Sequence, residues 1–162
     1  MRTVVLTVST SVARRENEDT SGTLLAHLAE EAGVDVEAME VIPDDFPLIE
    51  DRLHHYVDDN FTFIFTTGGT GMTPDDVTPE ATRAVIEREA PGLAEAMRAE
   101  SMRHTPMGML SRGVAGIAGR TLIVNFPGSP KAIEQLFPVL APVLEHAAAT
   151  LARERGRPTP GH

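Results

Sequence analysis

Short apolar runs alternate along the chain with segments in which apolar residues recur every three to four positions. Three runs predict β-strands, at residues 3–8, 34–41 and 61–65, and the last of these is apolar at nearly every position. A nearly continuous apolar run is typical of a strand that is buried on both faces of a parallel sheet. Strands that alternate with helices predict an α/β domain whose sheet is largely parallel.

The helical segments have recognisable starts and ends. After a polar loop that extends to Asp19, either Thr20 or Ser21 can cap the first helix, whose leucines and alanines share one face. Gly33 stands where a left-handed C-terminal cap is expected. Pro47 suits the first turn of a second helix.

A third helix is predicted from Thr78 to about Glu89, where Pro91 and Gly92 interrupt the pattern. A fourth helix then extends to about His104. These two helices separate the buried strand at 61–65 from the remaining strands, as expected for an α/β chain.

The apolar segments 113–118 and 120–125 flank a glycine and predict a short hairpin, so the sheet should be mixed. Pro130 begins the last helical region, which Pro138 and Pro142 are expected to divide or kink. We expect residues 1–153 to form a single domain and residues 154–162 to be a flexible polar tail.

Composition excludes several classes of protein. The 162 residues contain no cysteine, which excludes a disulfide framework. The absence of disulfides suits a protein of the reducing cytoplasm. The net charge of −10 disfavours general binding of nucleic acid or an anionic membrane, so an anionic ligand would have to be bound by local features. The apolar run at 3–8 lacks a cleavage site and no run approaches the roughly 20 residues of a membrane span, so we expect a soluble cytoplasmic protein.

Glycines follow directly after the buried strand, in Thr66-Thr67-Gly68-Gly69-Thr70-Gly71. The carboxyl ends of strands are where open α/β sheets bind ligands, and glycine lets backbone amides approach phosphate oxygens. The segment has neither a Walker A lysine nor the spacing of a dinucleotide fingerprint. A phosphate-binding loop and a plain tight turn both explain it.

Acidic residues lie on both sides of this glycine loop in the expected sheet. Asp44 and Asp45 follow the second strand, and Asp75 and Asp76 precede the helix at Thr78. Carboxylates there could hold Mg²⁺ on a nucleotide triphosphate. They could equally favour the helix N-termini by charge, with Asp45 as a cap.

Two further segments could contact a ligand. Asn125-Phe126-Pro127-Gly128-Ser129-Pro130 leads from a strand into a helix N-terminus, which is either an anion site or only a turn and cap. In Leu110-Ser111-Arg112, the arginine could bind an anionic substrate or lie idle on the surface.

Taken together, these segments resemble the Mog/MoaB family, which includes the bacterial molybdopterin adenylyltransferases and a domain of gephyrin. Further stretches that match in order and spacing are Asp19-Thr20-Ser21-Gly22, Ile42-Pro43-Asp44-Asp45, Asp76-Val77-Thr78-Pro79-Glu80-Ala81-Thr82 and Pro130-Lys131-Ala132. The resemblance covers nearly the whole chain, and its motifs are highly specific in combination.

The resemblance implies a three-layer α/β/α fold with a mostly parallel, mixed sheet, and a homotrimer or homohexamer. It implies Mg²⁺-dependent transfer of AMP from ATP to the terminal phosphate of molybdopterin, together with other molybdenum cofactor biosynthesis proteins as possible partners. It assigns catalysis and metal binding to Asp44 and Asp76. It assigns nucleotide and molybdopterin binding to Thr67, Gly68, Gly69, Thr70, Gly71, Ser111, Asn125, Pro127, Gly128 and Ser129.

The chain departs from the family pattern in two places. Asp75 stands where many members have arginine, and Ser9-Thr10-Ser11 replaces a common Ser-Asp-Arg sequence. Both changes remove positive charge near a site for two anionic substrates. A non-catalytic relative that binds a pterin or a nucleotide, or acts as a scaffold, is therefore the alternative to an enzyme.

Overall fold

A computed structural model describes residues 1–153, and the predicted tail at 154–162 lies outside the described residues. The strands are β1 (Arg2–Val8), β2 (Asp35–Ile42), β3 (Phe63–Thr67), β4 (Arg88–Glu89), β5 (Ala115–Ala118) and β6 (Thr121–Phe126). The α-helices are α1 (Thr10–Ala13), α2 (Thr20–Glu31), α3 (Phe46–Asp58), α4 (Thr78–Val85), α5 (Pro91–His104), α6 (Pro130–Leu140) and α7 (Leu144–Leu151). Short 3₁₀ turns occur at Pro106–Leu110 and Ala141–Val143.

The six strands form one sheet in the order β2-β1-β3-β6-β5-β4. The first four are parallel, and β5 and β4 run antiparallel to their neighbours. The hairpin between β5 and β6 turns at Gly119, whose φ of +58° favours glycine. The predicted mixed, mostly parallel sheet with helices on both faces is confirmed.

Hydrophobic side chains alternate between the two faces of the central strands. Val5 and Phe65 belong to a buried cluster that includes residues of α2 and α6. Val4 and Ile64 belong to a second cluster, which includes residues of α3 and α4. Burying each apolar side chain of this kind, rather than leaving it in water, stabilises the folded state by about 1.5–3 kcal/mol. Because both faces of the sheet are packed, the strands that carry the loops at its carboxyl edge are held in place.

The start of α2 differs slightly from the prediction. Asp19, rather than Thr20 or Ser21, caps the helix, because its Oδ1 accepts a 2.9 Å hydrogen bond from the backbone N–H of Gly22. The segment before it, predicted as a polar loop, contains the one-turn helix α1. Gly33 has a φ of +82° after the end of α2, as its expected role requires.

The helix predicted over residues 78–89 is wrong in its second half. α4 ends at Val85, and residues 88 and 89 form the edge strand β4 instead. Gly116 of β5 permits this approach, because a Cβ there would lie only 2.8 Å from the carbonyl oxygen of Arg88. Pairing across the sheet determined the conformation of this segment, and local helix propensity does not report such pairing.

The last helical region is divided as expected, but by one proline. Pro142 lies in the 3₁₀ turn between α6 and α7, whereas Pro138 is accommodated inside α6. Among residues 1–153, no helix has both the length and the apolar content that a membrane span needs.

Candidate functional site

The glycine loop follows β3, between the ends of β1 and β6. Gly68 and Gly69 have φ values of +96° and +64°. A Cβ on Gly68 would collide with the carbonyl oxygen of Val8 in β1. The N–H of Gly68 donates a 3.2 Å hydrogen bond to the carbonyl oxygen of Phe126 in β6. Glycine is therefore required for the loop to fit between these two strand ends.

Gly69 makes a second close approach, to the start of α4. A Cβ there would collide with the hydroxyl of Thr78 and would lie 3.2 Å from Oδ1 of Asp44. That buried hydroxyl has no hydrogen-bond partner within the described residues. Gly69→Val would therefore strain the fold, so it is a poor test of phosphate binding by the loop.

Two cavities open beside the glycine loop, with volumes of about 800 Å³ and about 390 Å³. Gly68, Gly69, Asp76 and Gly128 line both of them. Gly128 lies close to the glycine loop, because a Cβ on it would be 3.4 Å from Cα of Gly68. We call these four residues the shared edge, and ligands in the two cavities would meet there.

The structure brings together the site residues that the sequence predicted. The larger cavity is lined by ten of them, namely Gly68, Gly69, Thr70, Gly71, Asp76, Ser111, Asn125, Pro127, Gly128 and Ser129. Thr67 and Asp44 line the smaller cavity. The predicted grouping at one edge of the sheet is therefore present.

The larger cavity is also lined by Arg98, His104 and Lys131, which the sequence prediction did not include. Arg98 donates a 2.7 Å hydrogen bond to the carbonyl oxygen of Gly113, and Nε2 of His104 lies 2.9 Å from a carboxylate oxygen of Glu100. Lys131 has no partner in the described part of the chain. Its place in the Ser-Pro-Lys segment at the start of α6 is the signal that could have identified it.

The smaller cavity is acidic. Glu18, Asp19, Asp44 and Asp76 line it, and no lysine or arginine of residues 1–153 does so. An anionic ligand in this cavity would be repelled unless a cation accompanied it.

Asp44 and Asp76 are each anchored through one carboxylate oxygen. Oδ2 of Asp44 accepts hydrogen bonds from the N–H and hydroxyl of Thr10, at 3.0 and 2.9 Å. Oδ2 of Asp76 accepts them from the N–H and hydroxyl of Thr73, at 2.9 and 2.7 Å. Within the described residues, Oδ1 of neither side chain accepts a hydrogen bond.

The side chains of Asp44 and Asp76 both line the smaller cavity, and carboxylate oxygens are ligands that magnesium prefers, with the rest taken from water and substrate phosphates. Residues 1–153 contain no group of three or more side chains that could enclose a metal by themselves. The pair therefore fits a metal that arrives with a phosphate ligand better than a permanently bound one.

The neighbouring aspartates have other roles. Oδ1 of Asp45 accepts a 2.9 Å hydrogen bond from the N–H of Leu48 and caps α3. Asp75 is exposed and lines neither cavity. Its carboxylate therefore forms no part of the wall of either cavity.

Asn125 and Thr67 are buried beneath the loops. The amide nitrogen of Asn125 donates 3.0 Å hydrogen bonds to the hydroxyls of Thr66 and Thr82, and its Oδ1 accepts a backbone N–H at 3.2 Å. Thr67 donates a 2.8 Å hydrogen bond to the carbonyl oxygen of Pro127. Since their polar atoms are already paired, the geometry favours positioning of the loops over direct contact with a ligand.

Three serines also lie at the carboxyl edge of the sheet, and two of them stabilise the backbone there. Oγ of Ser129 accepts a 3.4 Å hydrogen bond from the N–H of Ala132 and caps α6. Ser21 at the start of α2 donates a 2.5 Å hydrogen bond to the carbonyl oxygen of Gly128. Ser111 is only partly buried, and its side chain remains near the larger cavity.

Arg112 is neither a free anion-binding side chain nor an idle surface residue. It donates hydrogen bonds to the carbonyl oxygens of Gly71 and Asp76 and forms an ion pair with Glu80. Burial alone would raise the pKa of the Glu80 carboxyl. The hydrogen bond from Arg112, a backbone hydrogen bond at Glu80 and the charges of Arg112 and Arg83 together outweigh burial and hold that pKa below its usual range.

The mixed sheet and the paired cavities at its carboxyl edge are typical of α/β domains that bind small ligands. Residues 4–146 match the family described as "Probable molybdopterin binding domain", and the chain belongs to this family.

Relatives of known name agree with this assignment. Molybdopterin adenylyltransferase of Helicobacter pylori strain J99 is 34% identical over 145 residues, which cover 88% of this chain and 82% of that protein. The molybdenum cofactor synthesis protein cinnamon of Drosophila melanogaster is 41% identical over 145 residues, but this chain spans only 24% of its length.

A solved structure has the same fold. The molybdopterin biosynthesis enzyme MoaB from Thermus thermophilus superposes with a TM-score of 0.87 at 45% identity, covering 93% of this chain and 95% of that one.

Proposed function

We propose that this protein transfers AMP from ATP to the terminal phosphate of molybdopterin. The proposal depends on one observation, the shared edge formed by Gly68, Gly69, Asp76 and Gly128 between two cavities. Transfer between two substrates needs their reacting groups at one place, and a ligand can approach this edge from each cavity. The family and the similar adenylyltransferase from Helicobacter pylori support this choice of substrates.

In the proposed reaction, an oxygen of the terminal phosphate of molybdopterin attacks the α-phosphorus of ATP. A new phosphorus–oxygen bond forms as the bond between the α-phosphorus and the bridging oxygen of pyrophosphate breaks. The electron pair of the broken bond leaves with pyrophosphate, and the product is adenylyl-molybdopterin. The protein contributes mainly by positioning the substrates and stabilising negative charge, as in other phosphate transfers.

Asp44 and Asp76 would hold Mg²⁺ through the Oδ1 atoms that accept no hydrogen bond within residues 1–153. When bound, the ion supplies neutralisation of triphosphate charge and stabilises the leaving pyrophosphate. This explains how an acidic cavity could accept an anionic substrate.

The remaining residues orient the phosphates. Backbone amides of Gly69, Thr70 and Gly71 lie at the wall of the larger cavity, where phosphate oxygens could accept from them. Lys131 adds a positive charge at the same wall, and Ser111 adds a hydroxyl.

The test is incubation of the purified protein with ATP, Mg²⁺ and molybdopterin, followed by detection of adenylyl-molybdopterin and pyrophosphate. We expect both products in equal amounts, and none with EDTA. The Asp76→Asn variant keeps the size of the side chain but removes its charge, and it should form both products much more slowly. Failure of the folded wild-type protein to form either product would reject the proposal.

A non-catalytic protein that binds a pterin or nucleotide is the second candidate. The absence of any lysine or arginine from the described lining of the smaller cavity favours it, because phosphate would be bound there only weakly without metal. In this case calorimetry would detect binding of ATP or molybdopterin while the product assay stayed negative.

We also propose a homo-oligomer, a trimer or a hexamer, located in the cytoplasm. Large apolar side chains remain exposed on the single chain, among them Met39, Met102 and Met109 at 50%, 46% and 61%. Contact between copies would remove such surface from water. Analytical ultracentrifugation at micromolar concentration should give a mass of three or six chains, and a 17.5 kDa monomer would reject this proposal.

A further inference from the structure

Arg112 makes an unusual set of contacts at the loop that contains Asp76. Its Nε–H donates a 2.7 Å hydrogen bond to the carbonyl oxygen of Gly71, and Nη2 donates a 2.6 Å hydrogen bond to the carbonyl oxygen of Asp76. Nη1 pairs with the carboxylate of Glu80 in the first turn of α4. The backbone N–H of Arg112 donates at 3.0 Å to the carbonyl oxygen of Thr70. One residue therefore binds the loop at both ends.

The loop has few other attachments. Residues 72–75 are exposed, and the bonds between Thr73 and Asp76 lie within the loop itself. The N–H of Thr78 reaches the carbonyl oxygen of Gly69 at 3.1 Å, which closes the base of the loop but does not attach residues 71–76. Arg112 supplies the attachment of the loop to the segment that precedes β5.

Arg112 is also poorly suited to binding an anionic substrate. Its side chain is 32% exposed, and its three nitrogens are each used within the protein. Its charge is balanced by Glu80. The planar guanidinium, with donors in fixed directions, matches three acceptors that diverge around it, and a lysine ammonium could not reach all three.

We propose that Arg112 is a positioning residue that holds the Asp76 carboxylate at the shared edge and thereby sets the affinity of the site for a divalent cation. The proposal deepens the function proposed above and rests on it, because it requires Asp76 to bind the metal. Glu80 contributes to this positioning, since its carboxylate binds Nη1 of the guanidinium.

The first experiment measures metal dependence. Wild type, Arg112→Lys and Glu80→Gln are titrated with Mg²⁺ at saturating ATP and molybdopterin, with Arg103→Gln as control. Arg103 is an exposed arginine that pairs with Glu100 on α5 and lines neither cavity. We expect Arg112→Lys to raise the half-saturating Mg²⁺ concentration roughly ten- to hundredfold, as loss of partners behind a metal ligand does. Glu80→Gln should raise it less, and Arg103→Gln should leave it unchanged.

The second experiment needs no turnover. Mn²⁺ binding is followed by electron paramagnetic resonance in the presence of an ATP analogue with a methylene bridge between the α- and β-phosphorus atoms. Hydrogen exchange of residues 70–77 is followed by mass spectrometry. Arg112→Lys should weaken Mn²⁺ binding and speed exchange in this loop, while exchange in β1 and β3 stays as in wild type.

The outcomes separate the two proposals. If wild type binds Mn²⁺ with the analogue but forms no product, the proposed reaction is rejected and the role of Arg112 is still measured. If Arg112→Lys loses activity only in proportion to its folded fraction, with unchanged metal affinity, its role is merely structural and the inference is wrong. Absence of Mn²⁺ binding to wild type would also overturn it.

Discussion

Thr10 and Asp44 exchange three hydrogen bonds across the carboxyl ends of β1 and β2. The N–H and hydroxyl of Thr10 donate to Oδ2 of Asp44, and the N–H of Asp44 donates to the hydroxyl of Thr10 at 3.1 Å. Thr10 belongs to the segment that departs from the Ser-Asp-Arg pattern of the family. This position therefore orients a carboxylate of the candidate site without supplying a charge of its own.

Removing the Thr10 hydroxyl should disorder Asp44. Thr10→Val keeps the shape of the side chain but leaves Asp44 with one donor, so we expect kcat/KM to fall about three- to tenfold. Thr10→Ser should retain activity, because it keeps the hydroxyl. Thr23→Val is the control, since the hydroxyl of Thr23 also donates a hydrogen bond, to the backbone carbonyl oxygen of Asp19, but Thr23 lies outside both cavities. Equal losses in the Thr10→Val and Thr23→Val variants would contradict this role.

The adjacent aspartates should behave differently. Asp76 lines both cavities, so Asp76→Asn should lower turnover roughly hundredfold or more, as loss of charge stabilisation in a transition state does. Asp75→Asn should stay within about twofold of wild type, because Asp75 lines neither cavity and an exposed charge is screened. Asp75→Arg should slightly raise ATP affinity at low salt. Similar losses in the two asparagine variants, measured by product formation and melting temperature, would refute the assignment.

Lys131 should act on substrate binding. Lys131→Gln is expected to raise the KM for the anionic substrate about three- to fivefold, with little change in kcat. This factor corresponds to the free energy that a partly exposed charge pair contributes. The effect should shrink with added salt. Arg120→Gln is the matched control, because Arg120 is an exposed cation in the hairpin at the opposite edge of the sheet. A KM that is unaffected by Lys131→Gln at low salt would contradict the prediction.

The ion pair between Arg112 and Glu80 should make stability depend on pH. A carboxyl whose pKa is lower in the folded state contributes stability above its unfolded pKa, and this is lost as pH falls through the folded pKa. The unfolding free energies of wild type and Glu80→Gln should thus differ by a few tenths to about 1 kcal/mol at pH 7, because both side chains are partly exposed.

Urea unfolding at pH 7, about 4.3 and about 3 measures this difference, around the ordinary glutamate pKa. The difference between wild type and Glu80→Gln should shrink towards acid. Glu134→Gln serves as control, because Glu134 is exposed and has no ion-pair partner in the described part of the chain. If the difference in unfolding free energy grew on acidification, it would contradict a pKa of Glu80 that is lower in the folded state than in the unfolded state.

Glycine and apolar patterning were sufficient to predict most of the fold. Gly33 and Gly119 have left-handed φ values where turns were expected, because other residues rarely adopt them. The grouping of Asp44 and Asp76 was predictable too, since loops that follow the parallel strands of one sheet lie at the same edge of that sheet. β4 was not, because its conformation depends on a partner strand distant in sequence.

The finer structure of the site required the folded chain. Arg112 and Gly71 are 41 positions apart, so no local pattern indicated their hydrogen bond. Asn125 was assigned to substrate from its motif, but its contacts with Thr66 and Thr82 depend on packing of three elements. Pairing of such polar groups depends on three-dimensional geometry that residue spacing alone does not specify.

The central place of β6 has a consequence for folding during synthesis. β6 pairs with β3 in the middle of the sheet but follows it only after α4, β4, α5 and β5 in the chain. A nascent chain that ends before Thr121 would expose the unpaired edge of β3, Phe63–Thr67, whose residues are all buried in the finished domain. An apolar strand with a free edge pairs readily with other chains. Until β6 emerges from the ribosome, this apolar edge of β3 is therefore open to pairing with other chains.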